Sequence, residues 1–209
     1  MQTAEKREPV LGRRATQKRV REDTIIQAAR DLMAQQGYEA MTMDDLATRA
    51  GISKPTLYQH FPSKEAIAVR AVVDLVHLGR EYIVNLEPDL PALEKLRRAF
   101  RRVIQEKFEN GKLSFGPAAR AALVPVIRAN PKYQEEFSEL FQAICGIVEE
   151  AKTEGTVCAE LPTKVAVQMF FSILRDGDHH EFIARGEITA AELADTVVAV
   201  LLDGMRKRP

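Results

Sequence analysis

The stretch Thr42–Lys64, TMDDLATRAGISKPTLYQHFPSK, constrains this chain more than any other. Three of its residues stand where two crossed helices need them. Ala47 is small enough for close approach of one helix to another, and Gly51 is free to take the positive φ of a sharp turn. Leu57 anchors the second helix, helped by Leu46 and Ile52. Capping residues frame the elements. Thr42 with Asp45 is a variant of the capping box, and Ser53 caps a helix over 54–61 that tolerates Pro55 in its first turn. Pro62 breaks the chain, and Ser63 with Glu65 opens the next helix. This spacing alone is shared by many helix corners. The outward residues narrow it: Ser53, Lys54, Thr56, Tyr58, Gln59 and His60 all offer hydrogen bonds suited to phosphates and base edges. No acidic residue occurs between Asp45 and Glu65.

Helical periodicity runs through the rest of the chain, and strand signals are nearly absent. A first helix over 18–36 is apolar at Ile25, Ala28, Ala29, Leu32 and Met33, and Gly37 fits the residue after its end. A fourth helix runs from Lys64 to the region of Tyr82–Leu86. Pro88 and Pro91 precede an amphipathic helix over 91–110. Gly111, Gly116, Pro117 and Pro125 then divide the chain into a loop and one or two short helices. Further helices are expected over 130–153, 163–185 and 190–207. The fold class is all-α: an N-terminal three-helix helix-turn-helix domain and a larger C-terminal helical domain, to which the family resemblance described below assigns ligand binding and dimerisation. The expected boundaries are a basic arm over 1–17, the helix-turn-helix domain over 18–75 and the second domain over 76–209.

Composition removes several function classes. Hydrophobic residues make up 45%, enough for a core. No run of about 18 apolar residues is present and the first residues have no apolar signal region, so a cytoplasmic chain without a membrane span is expected. The two cysteines, Cys145 and Cys158, read as reduced thiols and give no zinc spacing. No nucleophile elbow, phosphate loop, metal motif or paired-carboxylate signature appears, so neither an enzyme nor a cofactor is expected. Net charge is zero, yet residues 1–21 hold seven Lys or Arg against two Glu. A basic front of +5 is thus balanced by −5 elsewhere, which suits a polyanion partner or a solvated tail.

The expected last two helices are apolar on more than one face. Val165, Val167, Met169, Phe170, Phe171, Ile173 and Leu174 nearly encircle one; Leu193, Val197, Val198, Val200, Leu201 and Leu202 lie on the other. A helix apolar all round must be covered all round, and a second copy of the chain is the economical cover. A polar cluster from Arg175 to Glu181 interrupts the first. Asp176 and His179 share a face there, but no further metal ligand accompanies them, and intersubunit ion pairs are the better reading.

Residues 22–75, in particular IIQAARDLMAQQGYEAMTMDDLATRAGISKPTLYQHFPSKEAIAVRAV, resemble the DNA-binding domain of tetracycline-repressor-like (TetR family) regulators. Leu46 and Ile67 depart from the usual pattern by apolar exchange only. The resemblance covers about the first third strongly and the remainder only in its helical plan. It implies a homodimeric transcriptional regulator, most simply a repressor of a palindromic operator in double-stranded DNA, released by a small-molecule effector. The last two helices would form a four-helix bundle across the dimer, setting the two recognition helices about 34–36 Å apart. Thr42 would bind phosphate at a helix start. Ser53, Lys54, Pro55 and Thr56 would enter the major groove, Lys54 toward guanine and Pro55 toward a thymine methyl. Tyr58 and His60 would clamp phosphates, or pack their helix on the first; Gln59 would read a base edge, and Lys64 would reach the backbone. The basic arm would reach a minor groove. The effector would lie among His77, Phe108, Tyr133, Phe137, Phe141, Met169, Phe170, Arg175 and His179, each of which also reads as ordinary core or surface. The rival is an architectural DNA binder with no effector, against which the large second domain speaks.

Overall fold

In a computed structural model of the 209-residue chain, residues 12–108, 115, 117–176 and 179–206 are described. All the named elements are helices: α1 (Arg13–Ala40), α2 (Met43–Arg49), α3 (Lys54–His60), α4 (Lys64–Val84), α5 (Ala92–Phe108), α6 (Pro117–Ala129), α7 (Pro131–Thr153), α8 (Thr163–Asp176), α9 (His179–Ala184) and α10 (Ala190–Met205). Of the expected basic arm, residues 1–11 lie outside the described residues, and 13–17 form the start of α1.

Local chemistry sets the N-terminal elements. Thr42 accepts the Asp45 amide at 3.1 Å while Asp45 accepts the Thr42 amide at 3.1 Å, a complete capping box. Ser53 and Ser63 cap α3 and α4 by accepting the amides of Thr56 and Ala66. Between α2 and α3, Gly51 has φ +65°. The Ile52 amide donates to the Ala47 carbonyl at 3.0 Å and the Gly51 amide to that of Thr48 at 3.2 Å, the paired bonds of a Schellman turn. Gly37 interrupts α1 at φ 80° and ψ 163°, where the sequence places a helix end.

Two apolar cores result, and α4 belongs to both. The first gathers Ile25, Ala29 and Met33 of α1, Leu46 and Ala47 of α2, Leu57 of α3, and Ile67, Ala68, Ala71 and Val73 of α4. The second joins Ile83 of α4 to Leu96 and Phe100 of α5, Ile144 and Val148 of α7, Phe170 of α8, and Val198 and Leu202 of α10. The expected boundary at residue 75 thus falls inside one continuous helix. The first core also takes Ala119, Leu123 and Ile127 of α6, which the sequence assigned to the other side of that boundary. The helix expected over 163–185 is divided into α8 and α9, with Gly177 and Asp178 between them outside the described residues.

A buried carboxylate fastens α4 to α7. Glu136 of α7 is 4% exposed. It accepts from Arg80 Nε at 2.9 Å, lies 3.1 Å from His77 Nδ1, and pairs with Lys132 Nζ at 3.1 Å. Burial raises its pKa, but the hydrogen bonds from Arg80, Lys132 and His77 outweigh that and bring it down to about 2.

A Cβ at Gly51 would meet nothing within 4 Å, so its substitution carries a purely conformational cost. Gly51→Ala is expected to lower unfolding free energy by about 1–2 kcal/mol in urea titration. Gly79→Ala, at an equally open site inside α4, is expected to raise it by about 0.5–1 kcal/mol. Equal effects at the two positions would contradict the turn's demand for positive φ.

Candidate nucleic-acid interface

Helix α3 is held by its apolar side and presents its polar side outward. Leu57 is fully buried and Phe61, just after the helix, is 7% exposed. Ser53, Lys54, Pro55, Tyr58 and Gln59 are exposed, with Thr56 half-buried. The Ser53 and Thr56 hydroxyls lie 2.7 Å apart, so one donates to the other and a lone pair stays available. Tyr58 is 46% exposed, its ring standing off the core. Thr42 is exposed at the start of α2, its hydroxyl donating to Asp45 at 2.7 Å. These side chains share one end of the molecule because α2 and α3 cross at the Schellman turn.

Two of the expected contacts sit differently. His60 turns toward α1: its Nδ1 lies 3.4 Å from Glu22, and its side chain is only 13% exposed. Glu22 also faces Lys18 and Arg70, each at 3.7 Å, and so joins α1, α3 and α4. Lys64 points its ammonium at the end of α1, donating to the carbonyls of Tyr38, Glu39 and Met41 at 3.3–3.4 Å, and lies 4.6 Å from the centre of the Tyr38 ring. A cation there satisfies carbonyls that the helix leaves open. Both residues therefore have work inside the fold.

Sequence reasoning missed one residue of this face. Asp44, in the first turn of α2, takes the Lys54 ammonium at 2.8 Å through one oxygen and 3.1 Å through the other. The hydrogen bond and then the charge of Asp44 hold the Lys54 ammonium above its ordinary pKa. No signal in the linear sequence links the two, since the turn brings them together.

The expected effector residues divide. Tyr133, Phe137, Phe141 and Phe170 form one aromatic cluster with Phe171 and Phe100. Phe100 stacks on Phe170 with ring centres 3.9 Å apart, and Phe171 meets Phe137 at 4.9 Å. His77 lies beside it on the Glu136 group. Met169 does not line the cluster: it is 58% exposed on the outer face of α8, one turn from Val165 at 57%. His179 is half-buried at the start of α9, while the side chains of Phe108 and Arg175 lie outside the described residues. A cleft of about 620 Å³ opens elsewhere, between the start of α1, the α2–α3 turn and His60, lined by Lys18, Arg21, Thr24 and Ile52 among others. Among the described residues no helix is long and apolar enough to cross a membrane, and no group of three His, Cys, Asp or Glu is placed to hold a metal ion.

This geometry agrees with what the chain is similar to. Residues 25–71 match the family model for bacterial regulatory proteins of the tetR family. The HTH-type transcriptional regulator EthR of Mycolicibacterium smegmatis is 35% identical over 124 residues, covering 58% of this chain and 54% of the relative. The chain spans about half the length of the first curated relatives it matches. The fatty acid degradation regulator FadR of Bacillus halodurans has the same fold, with TM-score 0.70 at 22% identity over 98% of this chain and all of that one. FadR of Bacillus subtilis, solved with stearoyl-CoA, superposes with TM-score 0.64 at 20% identity over 88% and 99% of the two chains. Over residues 25–71, then, the chain is similar to the tetR family of bacterial regulatory proteins.

Proposed function

We propose that this chain is a cytoplasmic, homodimeric transcriptional repressor that binds a palindromic operator through α3 and is released by a small hydrophobic effector. The observation that carries the reading is the outward face of α3: Ser53, Lys54, Pro55, Thr56, Tyr58 and Gln59, held rigidly by the buried Leu57 and by caps at both α2 and α3. Rigid presentation lowers the ordering cost of binding, and these side chains suit major-groove edges and phosphates. Thr42 supplies a phosphate contact at the start of α2. His60 and Lys64 act near DNA only by giving up, or sharing, the bonds they make within the fold.

Val165 and Met169 of α8 and Val200 of α10, the last 68% exposed, support dimerisation through these helices. Apolar side chains so exposed on the two helices gain about 25 cal/mol per Å² when a second copy covers them. The aromatic cluster supports an apolar effector. The FadR relative with stearoyl-CoA makes a long-chain acyl thioester the first class to try. Its acyl chain would part rings that now stack, and the displacement would pass to α4, whose His77 and Arg80 hold Glu136 next to Tyr133 and Phe137.

Selection from a randomised duplex pool is expected to return a palindrome. Lys54→Ala is expected to weaken binding roughly ten- to a hundredfold, with preference relaxed at one base pair of each half-site. Uniform loss on all duplexes would make Lys54 a phosphate contact, and recovery of no consensus would favour the architectural reading. In sedimentation velocity, Met169→Glu is expected to shift the chain from dimer to monomer and to abolish tight operator binding; an unchanged dimer would remove α8 from the interface. Stearoyl-CoA titrated into the operator complex in a gel shift is expected to release DNA at micromolar concentration, on the order of typical ligand affinities. Retention of the complex at saturating thioester would exclude that effector class.

A further inference from the structure

The recognition helix is free of acidic residues in sequence but not in space. Asp44 and Lys54, ten positions apart, meet across the α2–α3 turn with both carboxylate oxygens within 3.1 Å of the ammonium. The pair stands at the DNA-facing end, its side chains 68% and 51% exposed. The capping box at the start of α2 is made by Thr42 and Asp45 without Asp44, whose carboxylate pairs with Lys54. A carboxylate two residues from a proposed phosphate contact, Thr42, opposes DNA wherever it has no other use.

We infer that Asp44 is a specificity-determining residue, which tethers the Lys54 ammonium so that it reads a base edge instead of adding to indiscriminate phosphate binding. This rests on the reading of Lys54 as a base contact. An ammonium carries three donors in a compact charge, so it can keep a carboxylate partner while giving a remaining N–H to the O6 and N7 acceptors of guanine. At a half-site with guanine in reach, Asp44 therefore costs little. On random DNA no such acceptor is at hand. The pair stays closed, its charge is already neutralised, and Lys54 releases no counterion from a phosphate. Without Asp44, the flexible four-carbon stem lets Lys54 reach a phosphate on any sequence.

The test compares the selected operator with a scrambled duplex for the full chain and four variants, over a range of salt concentrations. Asp44→Asn, an isosteric neutral change, is expected to tighten scrambled DNA more than operator. The operator-to-scrambled ratio should fall about three- to tenfold, and the salt slope on scrambled DNA should steepen by about one. Asp44→Glu, which keeps the charge, is expected to hold the ratio near that of the unaltered chain. In the Lys54→Ala background, Asp44→Asn is expected to leave the ratio unchanged, because the effect runs through Lys54. Circular dichroism should show the same helicity for Asp44→Asn and a melting midpoint lowered by no more than about 5 °C, since the capping box is intact and only a first-turn charge is lost. An equal gain on both duplexes, or a fall in ratio that persists without Lys54, would make Asp44 a general repulsive charge and overturn the inference. If Lys54→Ala alone leaves the ratio unchanged, Lys54 does not read a base, and the functional assignment of Lys54 falls with it.

Discussion

A single helix, α4, is shared by two apolar cores, and the rest of the molecule is arranged around that constraint. Its first half contributes Ile67, Ala68, Ala71 and Val73 to the core that holds α3; its last turn contributes Ile83 to the core that holds the aromatic cluster. Between the two, His77 and Arg80 converge on the buried Glu136 of α7. Removing one partner from a buried, fully partnered carboxylate is costly, because the remaining charge is left without compensation. The two halves of the chain are therefore joined by packed helix and ion pairs, with no linker to absorb strain. Arg30 adds to the bracing by donating to the Ala71 carbonyl from α1.

At the other end, polar chemistry holds the reading surface still. Glu22 gathers Lys18, His60 and Arg70 from three helices, and Lys64 closes the end of α1. These charges sit beside the proposed DNA-binding face yet are largely consumed by the fold. What remains outward on α3 is mostly neutral: hydroxyls, an amide, a phenol and a proline ring. Such a surface gains less from the phosphate backbone than a lysine-rich one would, and base edges decide more of its binding.

How much of this was legible in the sequence follows from range. The caps at Thr42, Ser53 and Ser63, the positive φ of Gly51 and the burial of Leu57 depend on neighbours within one turn of helix, so residue type and spacing sufficed. The resemblance carried by LYxHF then pointed to a family that residues 25–71 do match. Contacts across the fold were not legible. The resemblance implies DNA contacts for His60 and Lys64, with packing on the first helix as the alternative for His60; the partners within the fold, Glu22 and the α1 carbonyls, stand 38 and about 25 residues away in the chain. The pairing of Asp44 with Lys54 and the attachment of α6 to the first core are of the same kind. Periodicity reports that the Met169 face of its helix is apolar, not whether its cover is an interior or a second chain. The Thr189–Glu192 capping box that starts α10 is local in the same way.

The most direct measurement is a dimethyl sulfate footprint on the selected operator, which reports guanine N7 in the major groove separately from adenine N3 in the minor groove. Two helices α3 on one dimer require protection of guanine N7 in two patches centred about 10 base pairs apart on the same face of the duplex. Protection of adenine N3 alone, or one unbroken patch that moves with probe length, would contradict the account of α3 as a paired major-groove reader.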